Sequence, residues 1–254
     1  MIGFNPHVTR AGVQVKMQSI IDINFVKSIA VEAGKRALAM RATMRPELKA
    51  DNSYVTDIDR ETERFVRSRL EERYPHFAFL GEEFGRHGGD DVPLWAVDPI
   101  DGTTNLVFGI PCWGVSIGLL EAGIPTAGAF YMPVTDELFW GTRGGGGYCN
   151  DLPLKVIDRD HLHPEDTLGF TSAAIKQLDT SALEGRVRCL GSIAADIAYV
   201  ARGTLCSLVG CHEGAYDMAA ALCVAFEAGC VAHYLNGDAK GCSHIVRPFV
   251  ASDE

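Results

Sequence analysis

Trp95-Ala96-Val97-Asp98-Pro99-Ile100-Asp101-Gly102-Thr103-Thr104-Asn105 decides how this chain is read. Trp95-Ala96-Val97 is a short apolar run of the kind that forms a buried strand, and it delivers two carboxylates to a turn. Asp-Pro-x-Asp-Gly alone also describes a surface β-turn, with Pro fixing φ and Gly supplying a positive φ. Three features favour a buried acidic site instead. The acids follow an apolar run, Gly102 is followed by two hydroxyls, and a second acidic pair, Glu82-Glu83, follows Phe77-Ala78-Phe79-Leu80-Gly81. Acids at the ends of two buried strands are costly unless something positive neutralises them. Carboxylate oxygens suit Mg²⁺, which is held by a few carboxylates plus water and phosphate oxygens. Gly102-Thr103-Thr104-Asn105 can open a helix whose first N–H groups point at an anion, so metal and phosphate sites would adjoin.

The chain has 254 residues, 47% of them hydrophobic, and a formal charge of −10. That length suits one large domain or two intimately packed ones. The acid excess argues against nucleic-acid and membrane partners, so an anionic substrate would be attracted locally, by metal and a lysine. Met1-Ile2-Gly3-Phe4-Asn5-Pro6-His7 lacks the basic start and apolar middle of a signal peptide. No run reaches the ~20 apolar residues of a membrane span, and a cytoplasmic protein is expected. Eight cysteines with no Cys-x-x-Cys pair are read as reduced, metal-free thiols.

On the N-terminal side, Ile20, Ile21, Phe25, Ile29, Ala33 and Ala37 recur at helical spacing over 19–44, with Pro46 just beyond. Thr56 and Asp59 match a capping box that opens a second helix, ending at Tyr74-Pro75. The segment 49–56 is a loop or hairpin. On the C-terminal side, 113–120, 125–132 and 137–142 read as an antiparallel meander. The glycine run 144–147 lacks the strand-loop-helix context of a nucleotide loop and is read as structural. From Asp166, strands at 167–171, 186–190 and 204–209 alternate with helices at 173–184, 192–202 and 214–228. The polar stretch 158–164 divides an α+β domain, 1–157, from an α/β domain, 158–254.

Leu80-Gly81-Glu82-Glu83, the stretch from Trp95 to Asn105, its continuation Phe108-Gly109-Ile110-Pro111 and Val115-Ser116-Ile117-Gly118-Leu119, and the late Tyr216-Asp217-Met218-Ala219-Ala220 with Glu227-Ala228-Gly229 together resemble the inositol monophosphatase family of Mg²⁺-dependent phosphatases. The resemblance runs from about Lys49 to the C-terminus. It implies a layered α/β/α/β/α sandwich of the inositol monophosphatase and fructose-1,6-bisphosphatase type, and a homodimer. It implies hydrolysis of a small phosphorylated alcohol, inositol monophosphate first. Histidinol phosphate, a 3′-phosphonucleotide and fructose 1,6-bisphosphate stand behind it, and a non-catalytic, metal-dependent regulatory protein is the other class.

By the same resemblance, Glu82, Asp98, Asp101 and Asp217 would ligate two or three Mg²⁺ ions, with the backbone carbonyl of Ile100. Glu82 and Thr103 would hold the attacking water, with Glu83 behind them and Lys49 adding positive charge near the phosphate. Gly102 and Thr103 would present backbone N–H groups to the phosphate, Thr104 would cap and pack, and Asn105 would be structural. Gly191, Ser192 and Glu213 would meet the rest of the substrate. The chain departs from the pattern in several places. Ser53 stands where an acid often precedes the Val-Thr pair, leaving a third metal to Asp51 or Asp57. Ile193 occupies the middle of the Gly-Ser/Thr-Ala segment, Gly210 the place of an acid that binds an inositol hydroxyl, Tyr216 that of a Trp and Cys230 that of a Gly.

Overall fold

The computed structural model of the chain describes residues 21–50, 52–156, 162–181, 183–211, 214–234 and 242–246. Helix α1 (Ile23–Met40) buries Val26, Ile29, Ala30, Ala33, Gly34 and Ala37 along one stripe, and Asp22 caps its start. The expected helix 19–44 thus narrows at both ends, its last residues forming the 3₁₀ turn Arg41–Thr43. A short hairpin of β1 (Pro46–Leu48) and β2 (Tyr54–Thr56) leads into α2 (Asp57–Arg73), where Thr56 and Asp59 form the expected capping box.

There follow β3 (Ala78–Gly81), β4 (Gly85–His87), β5 (Leu94–Asp101), the short α3 (Thr103–Phe108), β6 (Gly114–Glu121), β7 (Ile124–Met132), β8 (Glu137–Thr142), β9 (Gly146–Cys149) and β10 (Leu152–Pro153). These strands build one eight-stranded sheet in the order β10-β9-β8-β7-β6-β5-β3-β4, which contains the expected meander. The chain continues with β11 (Thr167–Phe170), α4 (Ser172–Gln177), β12 (Arg186–Arg188), α5 (Ile193–Arg202), β13 (Ser207–Cys211), α6 (Ala215–Ala228), β14 (Val231–Tyr234) and β15 (Cys242–Val246). A second, five-stranded sheet runs β12-β11-β13-β15-β14. The helix expected over 173–184 stops at Gln177, and the sequence reading did not foresee β14 and β15. The expected boundary at 157–158 falls at the edge of residues 157–161, which lie outside the described residues.

Helices α1 and α2 cover one face of the large sheet, joined to it by a core that includes Val26, Ile29, Val66, Leu70, Trp95, Val97 and Ile117. Helices α5 and α6 pack on its other face through Phe130, Phe139, Ile197, Val200, Ala221 and Val224, and the small sheet follows through Leu205 and Leu208. Outermost, α4 covers the small sheet with Ala174 against Leu168 and Phe170. This is the layered sandwich that the sequence implied.

Helix α6 lies unusually low on the large sheet because the facing positions have no side chain. A Cβ on Gly118 would sit 2.5 Å from the backbone N of Ala220, and one on Gly128 2.6 Å from its Cα. Glycine is used here for close approach of two backbones. The consequence for function is that the first turn of α6, with Asp217, is brought down beside β5. A salt bridge from Arg202 of α5 to Glu137 of β8 ties the same layers.

The cysteines require one correction. Cys211 is disulfide-bonded, not reduced, while Cys112, Cys149, Cys189, Cys206, Cys223 and Cys230 are free. The backbone of Cys211 lies directly opposite Cys242 on the antiparallel strand β15.

Candidate active site

Strands β3 and β5 are parallel neighbours, so the acids that follow one and end the other emerge at the same edge of the large sheet. Every residue of β5 is buried. Acids three apart would face opposite sides of a regular strand. The pairing of β5 with β6 shifts register between Asp98 and Asp101, at Pro99-Ile100, where Pro has no N–H to give to a ladder. The Asp98 carboxylate accepts from the Ile100 N–H at 2.9 Å and so closes the turn on itself.

The two acids are joined there by others from distant parts of the chain. Burial, and after it the charges of Glu82, Asp101 and Asp217, hold the Asp98 carboxyl well above the ordinary carboxylate range. The buried Asp98 and Asp101 of β5 and the half-buried Glu82, after β3, and Asp217, on α6, are thus near enough to act on one another electrostatically. Each is meanwhile held by a protein donor. The Asp101 carboxylate accepts from Ser192 Oγ at 2.5 Å, Ala194 N at 2.8 Å and Ile193 N at 3.3 Å, the start of α5. Burial pushes its carboxyl up to about 6, against the pull of these hydrogen bonds. Asp217 accepts from the Gly214 N–H.

Lys49 places its Nζ 2.7 Å from both Glu82 Oε1 and Glu83 Oε1. Burial works against its charge, but the two hydrogen bonds outweigh it and leave the ammonium above its ordinary range. In this arrangement no three His, Cys, Asp or Glu side chains among the described residues are gathered closely enough to hold a metal ion as they stand. The donor set still fits one, since a hard divalent cation would relieve the crowding of all-oxygen anionic ligands that burial makes costly.

Next to the acids, Gly102 has φ +91° and forms the N-cap of α3, with Cys112, Trp113 and Ser192 so close that a Cβ would crowd all three. Thr104 is exposed and does not cap, which corrects its expected role. Asn105 is structural as expected. Its Nδ2 donates to the Cys112 carbonyl at 2.5 Å and to the Leu190 carbonyl at 2.7 Å, which pins the Gly191-Ser192 loop to α3. Gly191 and Ser192 are thereby brought to the site, through Asp101 as well. Glu213 and Asp51 lie outside the described residues, and Asp57 is engaged with the Arg45 N–H at 2.9 Å.

Asp59, which the sequence reading placed only in the capping box, also belongs to the site. Its Oδ2 accepts from Thr56 N at 2.8 Å and Thr56 Oγ1 at 2.6 Å, while Oδ1 lies 2.8 Å from Thr103 Oγ1. Thr103 Oγ1 is also 3.0 Å from the Ile100 carbonyl, so its one proton goes to Asp59 or to Ile100. Burial pushes the Asp59 carboxyl up to about 6, against the hydrogen bonds from Thr56 and Thr103. The available signal was weak: a capping acid needs one oxygen, and the second was unassigned.

Comparison with known proteins follows the same lines. A family model described as "Inositol monophosphatase family" matches residues 11–253. The chain is similar to the inositol-1-monophosphatase of Mesorhizobium japonicum, 36% identical over 220 residues that cover 82% of this chain and 83% of that protein. It is 32% identical over 209 residues to an Aquifex aeolicus protein named fructose-1,6-bisphosphatase/inositol-1-monophosphatase, covering 79% of each. Among solved structures, the extragenic suppressor protein suhB of Bartonella henselae superposes with a TM-score of 0.78 at 28% identity, covering 88% of this chain and 93% of that one.

Proposed function

The chain belongs to the inositol monophosphatase family and is a phosphoric monoester hydrolase, and from that premise we propose that it is a Mg²⁺-dependent phosphatase of small phosphorylated alcohols, inositol monophosphate first. The observation that carries this reading is that β5 and its parallel neighbour β3 deliver Asp98, Asp101 and Glu82 to one edge of the large sheet, with Asp217 on the first turn of α6 near enough to act on Asp98. With the Ile100 carbonyl, these side chains would hold two or three Mg²⁺ ions, which when bound supply Lewis acidity and neutralise charge on the phosphoryl group and the leaving oxygen.

The chain's own residues supply the rest. With its proton directed to Asp59 Oδ1, the Thr103 hydroxyl turns a lone pair outward and can accept a proton from an attacking water. That transfer passes the Thr103 proton to Asp59, so the water becomes a hydroxide equivalent and the carboxylate a carboxylic acid. Glu82 stands on the other side of the same water. Lys49, released from Glu82 and Glu83, offers its ammonium to the phosphate, and Gly102 and Thr103 offer backbone N–H groups. Ser192 and Gly191, pinned by Asn105, face the alcohol.

Cleavage of a sugar bisphosphate is a second reading, supported by the dual name of the Aquifex relative. Phosphate release from a panel of phosphomonoesters, with and without Mg²⁺, tests both, and no release in any Mg²⁺-containing reaction would refute them. A homodimer is supported by the exposed apolar residues Leu48, Phe108 and Ile110 beside the site, with Tyr54 edge-on to Phe108 at 5.8 Å. Six free thiols favour a reducing, cytoplasmic setting, and the disulfide of Cys211 counts against it. Among the described residues no helix is long and apolar enough to cross a membrane.

A further inference from the structure

Glu63 lies one helical turn beyond Asp59 on α2, fully buried, and its partners are backbone amides. Oε2 accepts from the Glu83 N–H at 2.8 Å and Oε1 from the Phe84 N–H at 3.1 Å. Both donors belong to the three-residue turn that joins β3 to β4, whose register closes with Gly81 opposite Gly85. Amides of such a turn have no ladder partner, and an ionised acceptor makes strong, directional bonds to them. Gly81, immediately before Glu82, rests on the same carboxylate: a Cβ there would fall 1.9 Å from Oε1 and 2.2 Å from Cδ of Glu63. The backbone is therefore held by Glu63 on both sides of Glu82, while the Glu82 N–H itself donates to the Val97 carbonyl of β5 at 3.3 Å. An apolar side chain would serve fold stability at this place with less desolvation cost. What the carboxylate adds is a fixed direction for the turn.

We infer that Glu63 is a positioning residue that sets the aim of Glu82 toward Asp98, and through it the divalent-cation affinity of the site, without touching ion or substrate. The inference rests on the reading of Glu82 as a metal ligand. The neighbouring Asp59 holds Thr103, so two carboxylates four residues apart on α2 hold the two groups that flank the attacking water.

The test uses the full chain, stripped with chelator, at a temperature where near-ultraviolet circular dichroism shows every variant folded. Mg²⁺ binding is measured by titration calorimetry, and kcat and KM at saturating Mg²⁺. In Glu63→Gln one of the two amides faces a donor, and the expected result is about tenfold weaker Mg²⁺ binding, within the range for residues that orient ligands. A lower kcat with substrate KM nearly unchanged should accompany it. Gly81→Ala, which displaces the same carboxylate, should do likewise. The double variant should be no worse than the weaker single one, because both act through one contact. Variants that melt earlier but bind Mg²⁺ and turn over like wild type would overturn the inference. If both variants fail to fold, amide exchange in the wild type decides. Protection of the Glu83 and Phe84 amides comparable to the β3–β5 ladder is expected, and exchange at open-turn rates would overturn it. Wild-type protein that binds no Mg²⁺ refutes the metal reading itself and the inference with it.

Discussion

Replacing Asp59 separates its two tasks, capping α2 and holding Thr103. In Asp59→Asn the amide oxygen can stay on Thr56, whose N–H and Oγ1 are the nearer donors to the Oδ2 position. The amide nitrogen then takes the Oδ1 position and donates to Thr103 Oγ1, which turns its own proton to the Ile100 carbonyl 3.0 Å away. The cap survives, but the lone pair of Thr103 is consumed and no base remains to receive a proton. Near pH 4, where the raised pKa leaves the Asp59 carboxyl protonated, stability should change by less than about 1 kcal/mol, the worth of one exchanged hydrogen bond, while at neutral pH kcat falls about 10²- to 10⁴-fold, as for loss of a general base. Asp59→Ala should lose both. It leaves the buried Thr56 N–H unpaired at a cost of about 1–3 kcal/mol, which for a chain of this size lowers Tm by roughly 2–4 °C per kcal/mol.

The same carboxyl has a pH signature. Folding raises its pKa from 3.8 to about 6, so the folded state binds more protons in that window. Its contribution to stability is present in full below pH 3.8 and is lost as pH rises through about 6, a change of order 3 kcal/mol. Asp59→Asn should remove that slope. Thermal melts from pH 4 to pH 8 and Mg²⁺-saturated kinetics, both on purified protein, are the assays. A Asp59→Asn variant with wild-type kcat would refute the proton path, and melting curves parallel to wild type across the window would refute the burial argument.

Three further outcomes are expected. Asp98→Asn should abolish phosphate release yet raise the Tm of chelator-treated protein by several degrees, because it relieves a buried like-charge cluster; a lowered Tm in chelator would show that the cluster is not repulsive. Glu82→Gln and Thr103→Ala should depress kcat more than they raise KM, and the reverse split in steady-state kinetics would assign them to binding. With Gly210 and Ile193 offering no side-chain acceptor, kcat/KM for inositol 1-phosphate should exceed that for a simple alkyl phosphate by less than about tenfold, the worth of one good hydrogen bond. A preference of several orders of magnitude would mean that Glu213, Ser192 or a second subunit restores the contact.

The acids were legible because their surroundings are local. An apolar run, a proline and a glycine define the turn after β5, and the capping box of Thr56 and Asp59 fixes where α2 begins. The meander of β6, β7 and β8 is equally local, since hairpins pair neighbours in sequence. Helix α4 was overread because 173–184 contains good helix formers, yet the chain leaves the helix after Gln177 for the extended residue Leu178.

The sequence by itself determined which acids are candidates for the chemistry and which local elements present them, because residue type, turn geometry and helix caps act over a few positions. Tertiary structure alone decided what those residues face. The α2 stripe of Ile58, Asp59, Thr62, Glu63, Val66 and Leu70 meets the apolar sheet at one end and the acidic turns at the other, and no periodicity distinguishes a carboxylate that caps a helix from one that also holds a hydroxyl across the site. Glycines 118 and 128 let α6 descend until Asp217 reaches β5, and the register of β13 on β15 set Cys211 against Cys242. These are contacts between segments far apart in the chain, and their geometry exists only once the layers have packed.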